Sequence, residues 1–75
     1  MPITFSDHAK KQLRRRRITQ KLAIKAIQNP QKIMSSFQGR KLRRKKIGDK
    51  LLEVVTRTEG SRITVITAYY LEEKI

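Results

Sequence analysis

A chain of 75 residues with 19 Lys and Arg against 6 Asp and Glu carries a formal net charge of +13, and this length predicts one small domain over 1–75. The chain has no Cys, so neither a disulfide framework nor a thiolate metal site can support its core. No apolar stretch approaches the roughly 20 residues of a membrane span, and the first residues lack the apolar region of a signal peptide, which predicts a cytoplasmic protein.

Two short helices are predicted before Pro30. Ser6 is placed to cap a helix over about 7–16, and Thr19 is placed to cap a second helix. Asn29-Pro30 ends the second helix because the residue before a proline disfavours the helical conformation. The apolar residues recur at helical spacing and would face a core: Ala9 and Leu13 in the first helix, and Leu22, Ala23, Ala26 and Ile27 in the second.

After Pro30 the apolar residues recur with a period of two, which is typical of strands. The strand-like segments are KIMSSF, KLRRKKI, LLEVVTRT and RITVITAYY, separated by short turns at Gln38-Gly39, Gly48-Asp49 and Glu59-Gly60-Ser61. Short turns permit only antiparallel neighbours. The sequence therefore predicts an α+β fold in which two N-terminal helices pack on one face of a three- to four-stranded antiparallel meander.

The last of these strands is apolar on both faces. Strict alternation places Ile63, Val65, Thr67 and Tyr69 on one face, and Thr64, Ile66, Ala68 and Tyr70 on the other. A strand of this kind is predicted to be central in the sheet, or to have one face in a partly exposed groove.

Basic residues form a continuous block. Between His8 and Gly48 there are 15 basic residues and no acidic one, and the segments 10–17 and 40–46 contribute six cations each. Self-repulsion on this scale favours a polyanionic partner, either nucleic acid or an anionic membrane, over a generally solvated basic surface. A membrane ranks last because the helix over 7–16 has only a narrow apolar face.

The second predicted strand displays its cations in alternate directions. Leu42, Arg44 and Lys46 share one face, and Lys41, Arg43 and Lys45 share the other, so at least one row of cations projects from the open side of the sheet. Arginine grips phosphate through two parallel hydrogen bonds. The predicted phosphate-binding residues are Arg40, Lys41, Arg43, Arg44, Lys45 and Lys46, together with Arg14 and Arg15 of the first helix.

Several short motifs occur in a characteristic order: FSDHA, an arginine-rich run ending in RRIT, QNP, GRKLRRKKIGDK and ITVITAYY. In this order they resemble a small bacterial family of unknown function related to the RelE and BrnT toxins of toxin–antitoxin pairs. The resemblance implies a microbial-ribonuclease or RelE-like domain, metal-independent cleavage of RNA and an acidic antitoxin as protein partner. Where that family commonly has Glu-Arg-Gly, this chain has Arg15-Arg16-Arg17 before Ile18, and the catalytic set of RelE does not transfer.

The resemblance also suggests site residues. It places His8 at the family's helix-start histidine and Thr67 and Tyr69 within its TAY motif. Histidine titrates near neutral pH and is suited to take the 2′-OH proton of RNA, although a capping or packing role is the alternative. Tyr69 is suited to donate a proton or to stack on a base, with an ordinary core position as the alternative. With Arg57 on the adjoining strand, these residues form the predicted catalytic set.

The acidic residues are few and scattered. Arg57 has an alternative to a role in the catalytic set, which is a cross-strand pair with Glu53 or Glu59. Only Glu72 and Glu73 are adjacent, so the spacing of metal ligands is absent, and the isolated glycines offer no loop for a nucleotide phosphate. The sequence therefore predicts no metal, no small-molecule cofactor and no membrane partner.

Together these features predict an RNA-binding, metal-independent endoribonuclease of the toxin type. Two other functions remain: a noncatalytic RNA-binding module, and a basic protein whose main partner is an acidic protein.

Overall fold

The computed structural model describes residues 2–71, so the Glu72–Glu73 pair lies outside the described residues. Residues 2–71 form an α+β fold of two helices and five strands. Their bounds, in chain order, are β1 Ile3–Phe5, α1 Asp7–Arg15, α2 Gln20–Gln28, β2 Lys32–Ser35, β3 Arg40–Ile47, β4 Lys50–Glu59 and β5 Arg62–Leu71, with a short 3-10 turn Phe37–Gly39 between β2 and β3.

The sheet is mixed, with the strand order β1-β5-β4-β3-β2. Strands β2 to β5 run antiparallel to their neighbours, whereas β1 lies parallel to β5, with Ile3 opposite Ile63 and Phe5 opposite Val65. The predicted sheet of three or four antiparallel strands was therefore wrong in strand number and in being wholly antiparallel. A strand of three residues is too short to show a period, and its partner lies about sixty residues away, so no local signal reveals it.

Both helices begin where the capping residues predict. The Ser6 side chain accepts a hydrogen bond from the backbone N–H of Ala9, and the Thr19 side chain accepts one from Leu22. These side chains satisfy backbone donors that the first turn of a helix leaves without partners. Helix α2 ends at Gln28 with Asn29 as its C-cap, as the Asn29-Pro30 pair predicts.

The end of α1 places an arginine in a conformation that favours glycine. Arg17 has φ of 56°. Its N–H donates to the carbonyl of Arg14 at 3.2 Å, and the N–H of Ile18 donates to the carbonyl of Leu13 at 2.8 Å. These are the two bonds of a Schellman motif, whose left-handed residue is usually glycine because a Cβ atom is strained there.

Replacing Arg17 by Gly is therefore expected to stabilise the fold by about 1 kcal/mol, since the strain at positive φ exceeds the added freedom of the unfolded chain. Urea-induced unfolding measures the change. Arg14→Gly is the matched control: it removes the same charge from within the helix and is expected to destabilise the fold by about 1 kcal/mol. A loss of stability in both variants would contradict this account of Arg17.

A hydrophobic core lies between the helices and one face of the sheet. Helix α1 packs chiefly on β5, and α2 packs on β4 and β3. No helix within residues 2–71 is long and apolar enough to cross a membrane. The buried core residues are Ala9, Leu13, Ile18, Ala23, Ala26, Ile27, Leu52, Val54, Ile63, Val65 and Ala68.

A β-bulge in β5 changes which residues share a face. Val55 lies opposite Thr67, but the next residue of β4, Thr56, lies opposite Val65, so one residue of β5 is extra. The side chains of Val65 and Ala68 therefore face the same core, and Tyr69 points to the opposite side of the sheet. The predicted strict alternation, which put Tyr69 on the face of Val65, was wrong because of this extra residue.

Candidate nucleic-acid interface on the open face of the sheet

The open face is the surface of the sheet opposite the helices. At its centre three side chains form a row across three strands: Arg44 on β3, Glu53 on β4 and Tyr69 on β5. Each is directly opposite its neighbour in the strand register. Cross-strand neighbours have Cβ atoms about 5 Å apart, which brings the functional groups of these side chains into contact.

Glu53 joins the other two residues of this row. Its Oε1 accepts a hydrogen bond from Nε of Arg44 at 2.7 Å, and its Oε2 accepts one from the hydroxyl of Tyr69. Glu53 is only 3% exposed. A carboxylate this deeply buried requires such partners, because burial of an unpaired charge is costly.

Arg16 approaches the same row from the end of α1. Its Nη1 donates to Oγ1 of Thr67 at 3.1 Å and to the carbonyl of Ala68 at 3.0 Å, and its guanidinium carbon lies 6.0 Å from the centre of the Tyr69 ring. Within residues 2–71, β1 covers β5 only at 63–65, so the later part of that edge is open to a side chain. We call Arg16, Arg44, Glu53, Thr67 and Tyr69 the Tyr69 cluster.

The environment keeps Tyr69 protonated. Burial raises the pKa of Tyr69 to about 12, and the hydrogen bond and negative charge of Glu53 act in the same direction, whereas the positive charges of Arg44 and Arg16 oppose them. At neutral pH the side chain is a neutral phenol. Its chemical capacity is to donate a proton to an oxygen that is becoming negative.

A cleft of about 250 Å³ lies beside α1 and is lined by Gln12, Arg15 and Arg16. Oγ1 of Thr67 donates to Oε1 of Gln12 at 3.0 Å, which links this cleft to the Tyr69 cluster. His8 lies one helical turn before Gln12, on the same flank of α1, and is exposed. His8 takes no part in the hydrogen bonds of the Tyr69 cluster.

The cations of β3 are divided between the two faces of the sheet. On the helix side, Arg43 donates to Oγ1 of Thr56 at 3.1 Å and to the carbonyl of Ile27 at 3.4 Å, and Lys45 donates to the carbonyl of Asn29 at 3.1 Å. Carbonyls at the end of a helix attract cations. Arg43 and Lys45 thus hold the end of α2 against the sheet.

Three cations of β3 lie on the open face: Arg40, Arg44 and Lys46. Arg57 lies directly opposite Arg40. The predicted alternative, an ion pair of Arg57 with Glu53 or Glu59, was wrong. Glu53 pairs with Arg44, and this is the one ion pair within residues 2–71.

The remaining predicted cations are more dispersed. Arg15 lines the cleft beside α1, whereas Arg14 is exposed on the same helix. Lys41 is exposed and belongs to the helix side of β3, as the alternation predicts. The predicted phosphate-binding residues therefore do not form a single surface.

Sequence reasoning missed Glu53 and Arg16 as members of the site. Glu53 had one available signal: it interrupts the apolar run of β4 and is the charged residue in a stretch that is otherwise buried. Arg16 had no signal in the sequence. It is one of four consecutive arginines, and the position at which α1 ends determines that Arg16 is the one that reaches β5. Within the described part of the chain, no group of three or more acidic, His or Cys side chains is placed to hold a metal ion.

Residues 5–70 match the family described as Domain of unknown function (DUF4258), and the chain belongs to that family. The match confirms the expected small family of unknown function. The chain matches no curated protein and no solved structure. The relation to the RelE and BrnT toxins therefore stays a proposal, and the function is inferred from the site.

Proposed function

We propose that this member of the DUF4258 family binds RNA on the open face of its sheet and cleaves it without a metal, as a RelE-like ribonuclease toxin. One observation carries the proposal: burial and the contact with Glu53 keep the Tyr69 phenol protonated, Glu53 also binds Arg44, and the Arg16 guanidinium lies 6.0 Å from the centre of the phenol ring. A proton donor flanked by two cations suits a phosphate group that gains negative charge.

The reaction is an internal transphosphorylation. The 2′-oxygen attacks the adjacent phosphorus, the bond from phosphorus to the 5′-oxygen breaks, and the products are a 2′,3′-cyclic phosphate and a free 5′-hydroxyl. We assign the transfer of a proton to the leaving 5′-oxygen to Tyr69. The guanidinium groups of Arg44 and Arg16 stabilise the pentacoordinate phosphorus, and Thr67 positions Arg16 through its hydroxyl.

The 2′-hydroxyl must lose its proton to a base, and we assign this role to His8. Its place on the flank of α1 that leads through Gln12 to Thr67 supports the assignment. In the free protein the single phenolic proton is hydrogen-bonded to Glu53. In the complex the O–H turns from Glu53 to the leaving 5′-oxygen, and the phenolate formed by the transfer regains a proton from solvent after the product leaves. The net charge of +13 supports an acidic antitoxin as the protein partner. An RNA-cleaving toxin of this kind would meet RNA and its antitoxin in the cytoplasm.

A second function, RNA binding without cleavage, is favoured by one feature. Both carboxylate oxygens of Glu53 already have partners in the free protein, so the row from Arg44 to Tyr69 also serves as a brace across three strands. In that case RNA affinity would depend on the open-face cations, and the wild-type protein would not cleave RNA.

RNA affinity is expected to depend on the open-face cations in particular. Replacing both Arg40 and Lys46 by Ala removes two phosphate contacts, so the slope of log K against log salt should become shallower by roughly 1.4 for a single strand. The matched control is Lys41→Ala with Lys45→Ala, which removes the same charge from the helix side of the same strand. Fluorescence anisotropy over a salt series measures both.

Equal changes of slope in the two double variants would contradict binding on the open face. A wild-type protein with no measurable RNA affinity at low salt would exclude both the nuclease and the noncatalytic RNA-binding function.

A further inference from the structure

Phe37 is exposed to an unusual degree for a large apolar side chain. It is 87% exposed, and within residues 2–71 the only other exposed large apolar side chain is Ile33, at 50%. The turn that carries Phe37 is tightly defined: Gln38 and Gly39 have φ of 59° and 73°, and the N–H of Ser36 donates to the carbonyl of Arg40 at 2.8 Å. The turn therefore presents the phenyl ring to solvent from a fixed backbone.

Two arginines lie close together on the open face, and one of them, Arg40, comes three residues after Phe37 in the chain. Arg40 and Arg57 are directly opposite each other on β3 and β4. Like charges in directly opposed positions are destabilising. Nε of Arg40 is buried and has no hydrogen-bond partner within the described residues. An anion between the two guanidinium groups would relieve the repulsion.

The arginine pair and the Tyr69 cluster are two separate positions on one surface. Arg40 and Arg44 are four residues apart on β3, a distance of about 13 Å along a strand. Between them the open face has an uncharged row formed by Leu42, Val55 and Thr67. The open face thus carries a cationic, an uncharged and a second cationic position in succession along β3. Phe37 precedes the Arg40 position by three residues, in the turn that leads into β3.

We propose that the RNA bound here is single-stranded, with an unpaired base stacked on Phe37 and a neighbouring phosphate held by Arg40 and Arg57. The inference rests on the proposed function and specifies its substrate class. Aromatic rings that alternate with cationic positions are the means by which proteins bind single strands, because every unpaired base offers a face for stacking. In a duplex, neighbouring bases already occupy those faces.

The test compares a short unstructured 2′-O-methyl oligoribonucleotide, which lacks the nucleophile and cannot be cleaved, with the same strand annealed to its complement. Phe37→Ala is expected to weaken single-strand binding by roughly 5- to 100-fold, the usual effect of losing one base–aromatic stack, and to leave duplex binding unchanged. Phe37→Trp should retain single-strand affinity. Ile33→Ala is the matched control, because it removes the other exposed apolar side chain and should change neither affinity.

Arg57→Ala is expected to weaken single-strand binding and to reduce the salt slope by at most about 0.7, the value for a whole phosphate contact, because Arg40 still contacts the same phosphate. Single-strand affinity unchanged in Phe37→Ala would overturn the inference and make Phe37 a contact for a protein partner instead. The proposed function would survive that result if Arg40→Ala with Lys46→Ala still weakened RNA binding. An equal loss of single-strand and duplex affinity in Phe37→Ala would also overturn the inference.

Discussion

Replacing Tyr69 by Phe is expected to lower the rate of RNA cleavage by roughly 10²–10⁴ while RNA affinity stays within a few-fold of the wild-type value. The substitution keeps the aromatic ring near the Arg16 guanidinium and removes only the hydroxyl that Glu53 holds. The loss should therefore fall on the chemical step. Single-turnover cleavage in EDTA, with a separate measurement of affinity on uncleavable RNA, separates the two effects.

Tyr70→Phe is the matched control. It removes a hydroxyl from the next residue of β5, whose side chain packs against the core on the other face of the sheet. We expect a rate close to that of the wild type. Equal rates for the wild type and Tyr69→Phe would exclude Tyr69 as the proton donor and leave the row across the sheet with a bracing role.

His8→Ala belongs to the same experiment. Loss of the base should lower the rate by a similar factor and should leave the fold unchanged, because His8 is exposed. A reduced rate in Tyr69→Phe together with an unchanged rate in His8→Ala would require another acceptor for the 2′-OH proton.

Replacing Glu53 by Ala is expected to destabilise the fold by about 3 kcal/mol. The substitution leaves the Arg44 guanidinium and the Tyr69 hydroxyl without their acceptor at the centre of the sheet. This value is at the lower end of the loss in stability that follows when one partner of a buried ion pair is removed, because 28% of the Arg44 side chain is exposed. For a small domain this is a large part of the total stability. Urea-induced unfolding measures it.

Glu59→Ala is the control for Glu53→Ala, since Glu59 is an exposed acid on the same strand, and its replacement should change stability by less than about 0.5 kcal/mol.

A second measurement, of the pKa of Tyr69, reports on the contact between Glu53 and Tyr69. The pKa of Tyr69 is about 12 in the fold against the ordinary 10.0, so its stabilising contribution is complete below pH 10 and is lost as the pH rises toward 12. Glu53→Gln should lower this pKa, as measured by phenolate absorbance in a Tyr70→Phe background. A stability of Glu53→Ala equal to that of Glu59→Ala would contradict the bracing role of Glu53.

The helices and turns could be predicted from the sequence because their signals are local. Ser6 and Thr19 cap the residues that follow them, and Gly48 and Gly60 occupy two-residue turns at positive φ, where glycine is favoured. These features depend on neighbours within a few positions. The order of β2 to β5 then follows from the short connections.

The candidate site could be predicted only in part, because its decisive features are long-range. Tyr69 was found through the TAY motif, but its face depends on the bulge in β5, which alternation cannot reveal. Arg16 reaches β5 only because β1 stops at the level of Val65. The direction of Arg43 is set by the carbonyl end of α2, which lies sixteen residues earlier in the chain.

The central claim is that the open face of the sheet cleaves RNA through chemistry supplied by the chain itself. The most direct measurement incubates the purified protein in EDTA with a single-stranded RNA and with a copy carrying 2′-deoxy substitutions at the cleaved positions. We expect discrete fragments ending in a 2′,3′-cyclic phosphate from the RNA, and an intact strand bound with similar affinity from the substituted copy, because the nucleophile is then missing. Intact RNA under these conditions, or cleavage of the substituted copy at the same positions, would contradict the claim.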